Sequence, residues 1–369
     1  MSKKKISILL AEPLDKHVER TSGGYYLKKY FDITFLICSD WVWNLNSKNF
    51  NYLQNASNTN CQFKIIKNLE DLKIELKSIG PDFVFDCIYN QFSDEFKKIV
   101  HNLNSKYVLI NNGHIPSRDN KSFIWKFLTQ LKNFFKSKKS SDIAILAGSQ
   151  ILKSYDLKKT KNICWIGSED YYKYNQVKNR NKLKKSKYIL YIDSAVFSKN
   201  NDFRFLKIKN IPTDQQIKNF YNNIFNKFEN YFKMPVVVAG HRRGKLYKNY
   251  TDLFSGRKVI FDKTAELTEQ SAFVISNFST AISFAVLSLK PIIFFTNANF
   301  DKLVIAKFIY ALSKELDAVV INDDKNCIIN DKLLNINVEK YKLYEVNYIK
   351  NNMVTSNFPF HSFIKKYAK

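Results

Sequence analysis

The sequence predicts an α/β fold in two halves, each built on a mainly parallel sheet. Short runs rich in Val, Ile and Phe alternate with longer amphipathic stretches, and this alternation is typical of βα units. The length of 369 residues exceeds what one hydrophobic core usually serves. A polar, Lys- and Asn-rich stretch, Gln176–Lys187, separates the two alternating series. We therefore expect two Rossmann-like domains with a cleft between them, residues 1–175 and 188–340. Terminal helices in residues 341–369 could pack back on the first domain.

The apolar runs define the expected strands of each half. Those of the first half are Ile6–Ala11, Ile33–Cys38, Phe63–Ile66, Phe83–Ile88, Tyr107–Asn111, Ile143–Leu146 and Ile163–Ile166. Those of the second half are Tyr188–Ile192, Pro235–Ala239, Val259–Phe261, Phe273–Ile275, Pro291–Phe295 and Ala318–Ile321. Helical periodicity appears in Leu69–Ser78, Asp94–Leu103 and Asp214–Phe232.

Charge and composition bound the classes of partner. The formal net charge is +26, from 59 Lys and Arg against 33 Asp and Glu. The excess is mostly lysine spread along the whole sequence, and neither zinc fingers nor aromatic RNA-binding signatures accompany it. The chain is also rich in Asn, Ile, Phe and Tyr, which together with Lys are the residues that an AT-rich genome over-encodes, so the charge has an explanation without any partner. We therefore expect no nucleic-acid partner, and attraction to phosphorylated substrates or to an anionic membrane surface fits the charge better.

No sequence feature predicts a membrane span or a leader peptide. The longest apolar run, Ala281–Phe295, is short and is interrupted by Lys290-Pro291. The basic amino terminus is interpreted as a first strand, because its apolar run stops at Glu12 without a cleavage-site pattern. The five cysteines are an odd number without CxxC spacing, which indicates buried thiols in a reducing cytoplasm.

The stretch Val236–Thr296 holds the strongest functional signal. Its first apolar run leads into Gly240, His241, Arg242 and Arg243. Glycine permits close approach of the backbone, and His and Arg side chains donate hydrogen bonds to phosphate oxygens. A solvated basic turn is the alternative interpretation. Phosphate binding is favoured because His and Arg are scarce in this chain and here follow a buried strand directly.

Further polar residues follow neighbouring strands of the same half. Ser279 and Thr280 precede a helical run, where Ser279 would cap the helix and its first free N–H groups would bind an anion. Glu266 opens another short helix, and it either accepts hydrogen bonds from ribose hydroxyls or interacts with the helix dipole. Asp193 and Ser194, at the end of the first strand, leave the same two interpretations open. The carboxyl ends of parallel strands share one edge of a sheet, where a ligand crevice forms.

These residues together resemble the carboxyl-terminal domain of GT-B glycosyltransferases that make bacterial surface polysaccharides. The likeness extends to the sialyltransferase-like, Kdo-transferase-like and CDP-glycerol transferase-like groups. Those families place a His-plus-basic motif after one strand, then a Ser/Ser or Ser/Thr pair at a helix start, then a KPIIF strand. The counterparts here are His241-Arg242-Arg243, Ser279-Thr280 and Lys290-Pro291-Ile292-Ile293-Phe294. The likeness covers Tyr188–Thr296, and Arg242 stands where those families usually have proline.

The resemblance implies a GT-B fold and a cytoplasmic glycosyltransferase. Its donor would be a nucleotide-activated sugar, with a CMP-sugar favoured, and its acceptor a cell-surface glycan of capsule or lipopolysaccharide. The donor is a substrate, and no cofactor is expected. No DxD motif is present, so we expect metal-independent, inverting transfer in which basic residues and the helix start stabilise the leaving phosphate. The open alternatives are CDP-glycerol-type glycerophosphate transfer, epimerisation of a UDP-sugar, and a non-enzymatic protein that binds polyanions or nucleic acid.

The acceptor and the catalytic base are expected in the first half. An inverting transfer needs a general base near the acceptor hydroxyl. The candidates are Glu12 after the first strand, Asp86 within the fourth, and His114 after the fifth, of which His114 has the best position and Asp86 could be a buried, paired carboxylate. Ser22-Gly23-Gly24 also follows the first strand, and its glycines are expected to leave room for a substrate.

One segment predicts membrane contact. Lys121–Lys139 places apolar side chains at helical spacing and carries six lysines and no acid. A basic amphipathic helix of this kind suits an anionic membrane surface, which would place the protein at the inner face of the inner membrane beside a lipid-linked acceptor. An ordinary surface helix that packs its apolar face inward is the equal alternative.

Overall fold

The protein is described by a computed structural model covering residues 2–11, 14–43, 61–88, 93–113, 116, 141–153, 160, 162–180, 188–194, 212–303, 306–324 and 328–368. The described residues form two compact units. Unit 1 draws on residues 1–114, 121–169 and 350–369, and unit 2 on residues 115–120 and 170–349.

Unit 1 is built on a seven-stranded sheet in the order β3-β2-β1-β4-β5-β6-β7. All of its pairings are parallel. The strands are β1 Lys5–Leu10, β2 Asp32–Ile37, β3 Gln62–Ile65, β4 Phe83–Asp86, β5 Lys106–Asn111, β6 Ile143–Ala147 and β7 Asn162–Ile166. The helices of this unit are α1 Lys16–Thr21, α2 Gly24–Leu27, α3 Ser39–Trp43, α4 Leu69–Ile79 and α5 Ser93–Asn102, together with the terminal α13 His361–Tyr367.

Unit 2 repeats the topology with six parallel strands in the order β10-β9-β8-β11-β12-β13. The strands are β8 Ile189–Ile192, β9 Val236–Gly240, β10 Val259–Phe261, β11 Phe273–Ser276, β12 Ile292–Thr296 and β13 Val319–Asn322. The helices are α6 Glu169–Arg180, which begins at the unit boundary, α7 Asp214–Phe232, α8 Thr264–Gln270, α9 Ile282–Leu287, α10 Ala298–Asp301, α11 Ala306–Leu316 and α12 Val338–Tyr344.

Side-chain alternation along the strands builds the cores. In β8, Ile189 and Tyr191 enter a cluster with the apolar face of α7, while Leu190 and Ile192 enter a second cluster with α11 and α12. The helix α7 is fixed at its start by a capping box, in which Thr213 and Gln216 exchange side-chain and backbone hydrogen bonds. Both faces of this sheet are therefore covered, as expected for parallel strands.

The predicted strands are all confirmed, with ends shifted by at most two residues. The expected polar linker is wrong in its first part, because Gln176–Arg180 are the last residues of α6. Tyr174 and Val177 of this helix pack on Ala265 and Phe284, which gives the helix an apolar face despite its polar composition. Near the carboxyl terminus, α12 packs in unit 2 and α13 packs in unit 1.

Candidate functional site

The strand order of unit 2 places a topological switch point between β8 and β11. The chain runs outward through β9 and β10 on one side, and through β12 and β13 on the other. The parallel register brings Asp193, His241 and Asn277, which follow β8, β9 and β11, to one edge of the sheet. Open α/β sheets bind ligands in the crevice outside such a point.

A buried chain of hydrogen bonds joins these three strand ends. We call it the strand-end network, and it consists of Asp193, Tyr191, Tyr250 and Asn277. The Tyr250 hydroxyl donates to Asp193 Oδ2 and accepts the backbone N–H of His241 at 2.8 Å. The Tyr191 hydroxyl lies 3.1 Å from Asp193 Oδ1 and 2.9 Å from Asn277 Oδ1. All four side chains are at most 4% exposed. The three strand ends are thereby tied to one another in the interior.

The network contacts the next strand and the core. Asn277 Nδ2 donates to the Phe295 carbonyl of β12 at 2.9 Å. Burial raises the pKa of Tyr191 and of Tyr250 well above the ordinary value, and the neighbouring Asp193 carboxylate raises both further. The hydroxyl of Tyr221 lies 2.9 Å from that of Tyr191, and burial and Asp193 raise the pKa of Tyr221 as well. These phenols are therefore neutral at physiological pH and remain hydrogen-bond donors.

The predicted basic motif forms a tight turn over Tyr250. Residues Arg242–Leu246 are a 3-10 helix, and the Gly244 N–H donates to the His241 carbonyl at 2.8 Å. A Cβ at Gly244 would lie 2.4 Å from the Tyr250 ring, so only glycine fits this position without displacing the turn. The His241 and Arg242 side chains are half-buried at the edge, while the side chain of Arg243 lies outside the described part of the chain.

The predicted Ser279-Thr280 pair lies two residues beyond Asn277. Helix α9 begins at Ile282, later than predicted, after a tight turn in which the Ala281 N–H donates to Ser279 Oγ at 3.3 Å. Ser279 is buried and Thr280 is exposed at this edge. The helix starts late because the preceding residues make i to i+3 bonds, such as that from Ile282 N–H to the Ser279 carbonyl.

Two other predicted contact residues lie at the same end of unit 2. Glu266 is half-buried in the first turn of α8, which follows β10. Ser194 follows Asp193, and its hydroxyl is buried with no hydrogen-bond partner among the residues that the structure describes. Asp193 itself is held by the tyrosines, which places it in the interior and gives it a supporting role for the edge.

Sequence reasoning missed the two tyrosines of the network. Tyr191 had a usable signal, because it lies two residues before Asp193 and therefore on the same face of β8. Tyr250 had none, since its approach to Asp193 depends on the path of the 3-10 turns Arg242–Leu246 and Thr251–Phe254. The sequence motif thus predicted the location of the strand ends but not the tyrosines that hold them together.

In unit 1, Asp86 is a fully buried carboxylate at the end of β4. Its Oδ1 accepts the Ile88 N–H at 2.8 Å, and its Oδ2 accepts the Tyr107 hydroxyl. Both oxygens are thus engaged inside the protein. To accept a proton from a substrate hydroxyl, this carboxylate would have to give up one of these bonds.

The other residues predicted for the first half lie partly outside the described residues and partly in a packed region. Glu12, His114 and the segment Lys121–Lys139 all lie outside the described residues. The glycines after β1 do not leave the expected room: a Cβ at Gly23 would lie 2.5 Å from the Phe360 ring, so that space is filled by an aromatic side chain of the same unit. This expectation was wrong because the ring comes from the far end of the chain.

Further features bear on the class of protein. In the part of the chain that the structure describes, no helix is long and apolar enough to cross a membrane. The described cysteines, Cys38, Cys61, Cys87 and Cys164, form no disulfide with one another, and burial raises the pKa of the Cys38 and Cys87 thiols. Cys327 lies outside the described residues.

Comparison with known proteins yields structural matches alone. No family model matches the chain, and no curated protein matches its sequence. The calicheamicin glycosyltransferase CalG4 matches with a TM-score of 0.53 at 8% identity, over 94% of this chain and 94% of that chain. The glycotransferase of kitacinnamycin matches with a TM-score of 0.52 at 10% identity, over 94% and 95%. The UDP-GlcNAc 2-epimerase of Methanocaldococcus jannaschii, in complex with UDP-GlcNAc and UDP, gives 0.50 at 13% identity, over 98% and 99%.

At these identities the matches show the fold. They extend over nearly the full length of both partners, and they agree with the two parallel sheets of seven and six strands. The chain therefore has the GT-B fold of two Rossmann-like domains. This fold carries more than one chemistry, so the function must be argued from the site.

Proposed function

We propose that the chain is a glycosyltransferase that moves a sugar from a nucleotide-activated donor to a bacterial surface glycan of capsule or lipopolysaccharide. The donor is a CMP-sugar, the transfer is inverting and uses no metal or cofactor, and unit 2 holds the donor. One observation carries the proposal: the strand-end network fastens two polar segments to one edge at the switch point of unit 2, with Tyr250 holding the His241 backbone and Asn277 standing before Ser279. A crevice built in this way suits an anionic, phosphate-bearing ligand.

The donor-binding roles follow from side-chain chemistry. His241, Arg242 and Arg243 donate to phosphate oxygens, and Arg242 replaces the proline of related motifs with a further cation. Ser279 and Thr280 supply the turn that accepts the leaving phosphate, and Glu266 accepts hydrogen bonds from the ribose hydroxyls. As the glycosidic bond breaks, negative charge grows on the phosphate, so these fixed donors stabilise the transition state more than the ground state.

Unit 1 binds the acceptor and supplies the base. His114 follows Asn111, the last residue of β5, and is the first choice for the group that takes the proton from the acceptor hydroxyl. Glu12 after β1 is the second choice. Asp86 ranks last because both of its oxygens already accept hydrogen bonds. The Lys121–Lys139 segment would hold the enzyme against an anionic membrane surface at the inner face of the inner membrane, near a lipid-linked acceptor.

A thermal-shift screen of CMP, CDP, UDP and GDP tests the proposal. A ligand at about 100 times its Kd stabilises the folded state by about 2.7 kcal/mol, so one nucleotide should raise the Tm clearly. We expect CMP to do so and His241→Ala to abolish the shift. His361→Ala is the matched control, because this histidine is exposed on α13 in unit 1. Stabilisation by UDP alone would favour a UDP-sugar enzyme such as an epimerase, stabilisation by CDP alone would favour glycerophosphate transfer, and no stabilisation by any nucleotide would contradict the proposal.

A further inference from the structure

Tyr250 occupies a special position in the strand-end network. Its hydroxyl contacts both the end of β8, through Asp193 Oδ2, and the segment after β9, through the His241 N–H. Together with the ladder bond from the Asp193 N–H to the Ala239 carbonyl, this phenol oxygen links the switch point to the predicted phosphate-binding turn. Removing that oxygen leaves the His241 N–H and a buried carboxylate oxygen each without this partner.

The ring of Tyr250 fixes the other end of the same turn. Gly244 lies directly on the ring, since a Cβ there would come within 2.4 Å of it. The ring in turn packs against Phe254 and Phe261, with centroids 5.2 and 5.6 Å away. The turn is thus held at its first residue by a hydrogen bond and at its fourth by close packing, on a side chain that is 3% exposed.

Tyr221 is a second buried tyrosine that can be compared with Tyr250. Tyr221 is equally buried, and its hydroxyl lies 2.9 Å from that of Tyr191 in the core beneath the edge. Its ring stacks on Phe225 with centroids 5.6 Å apart. Tyr221 thus shares the burial and the hydrogen bonding of Tyr250, yet none of its described hydrogen bonds reaches the His241 turn.

We propose that Tyr250, oriented by Asp193, is a positioning residue that holds the His241–Gly244 turn in the shape that binds the donor phosphate. This inference rests on the proposed function of unit 2. Neither side chain needs to touch the nucleotide, because Tyr250 acts through the backbone N–H of His241 and Asp193 acts through the Tyr250 hydroxyl. A pre-set turn avoids the ordering cost that a flexible loop would add to binding.

The test compares two tyrosines that each lose only a hydroxyl. Tyr250→Phe and Tyr221→Phe are prepared in the full chain, and CMP and UDP affinities are measured by titration calorimetry beside urea unfolding of the free proteins. We expect Tyr250→Phe to weaken binding of the nucleotide that the unaltered chain prefers by about tenfold, as for the loss of one well-placed hydrogen bond. Tyr221→Phe should lose a similar amount of stability and keep its affinity.

Amide hydrogen exchange of the free proteins supplies a readout that loss of stability alone would not move. Exchange in the peptide covering residues 241–247 should accelerate in Tyr250→Phe and stay unchanged in Tyr221→Phe. If Tyr250→Phe does not fold, Asp193→Asn, which keeps the size of the side chain, takes its place with the same expectations.

The outcomes separate the inference from the function on which it rests. Equal affinity in Tyr250→Phe and the unaltered chain, or equal exchange of the turn, would overturn the inference and leave the nucleotide site standing. An equal loss of affinity in both variants would also overturn it, because a general loss of core packing would then explain the effect. If the unaltered chain bound none of CMP, CDP, UDP and GDP, the proposed function would fail, and the binding role of Tyr250 would fail with it.

Discussion

The two sheets share the order of six strands and differ in what lies at their carboxyl edges. In unit 2 the strand ends are joined by buried polar groups, and the segments beyond them carry His241, Ser279 and Thr280. In unit 1 Asp86, at the end of β4, accepts a hydrogen bond from Tyr107, and the Phe360 ring packs over Gly23. Among the described residues, one topology therefore carries a polar network at the edge of unit 2 and a paired carboxylate at the edge of unit 1, so side chains distinguish the two edges.

The largest loss of stability is expected in the aromatic core of unit 1. Phe363 is fully buried between Phe31, Phe83 and Phe85, at centroid distances of 5.2 to 5.7 Å. We expect Phe363→Ala to lower the free energy of unfolding by about 3–5 kcal/mol, because it leaves a cavity as well as exposing apolar surface. Urea unfolding measures this loss.

Phe358→Ala is the matched control, since that ring is 42% exposed. It should cost far less, and the folded fraction of either variant should keep its nucleotide affinity. A loss from Phe363→Ala no larger than that of the control would show that the terminal helix contributes little to unit 1.

A smaller loss of stability is expected at Asp86, the buried carboxylate of unit 1, and it can be compared with Asp193 in unit 2. Tyr107→Phe removes the hydroxyl that donates to Asp86, and we expect a cost of about 1–3 kcal/mol because one carboxylate oxygen loses its partner inside the protein. Nucleotide affinity should not change, in contrast to the loss expected for Tyr250→Phe. Calorimetric titration beside urea unfolding checks both statements, and a tenfold loss of affinity in Tyr107→Phe would remove the distinction between the edges.

The smallest effect concerns alkaline pH. Burial, together with Asp193, raises the pKa of Tyr250 above its ordinary value, so the folded state keeps a proton that the unfolded chain releases above about pH 10. The stabilisation is therefore complete below pH 10 and declines as the pH rises further. Each such tyrosine should contribute a slope of about 1.4 kcal/mol per pH unit.

Comparing Tyr250→Phe with the unaltered chain isolates this contribution. The difference in unfolding free energy between them should be constant from pH 7 to about 9 and should shrink above about pH 10, where the tyrosine loses its advantage. Urea unfolding at stepped pH follows the change. A difference that stayed constant into the alkaline range would contradict the burial of this hydroxyl.

The strands and the location of the edge could be predicted from sequence, because both depend on local patterns. Runs such as residues 236–238 and Ile292–Thr296 are continuous in β-branched and aromatic residues and are followed by polar segments. The network could not be predicted, since Tyr250 reaches Asp193 only after the intervening turns fold. The expectation of open space at Gly23 was wrong for the same reason, because its neighbour Phe360 comes from the other end of the chain.

The most direct test of the central claim is a hydrogen-exchange footprint of the full chain with and without saturating CMP. The claim is that the strand-end network holds a nucleotide site at the edge of unit 2. It predicts slower exchange in the peptides that contain residues 241–247 and 277–284, with no comparable change around Asp86 and Tyr107. Protection confined to unit 1, or no protection in either segment while CMP is bound, would contradict the claim.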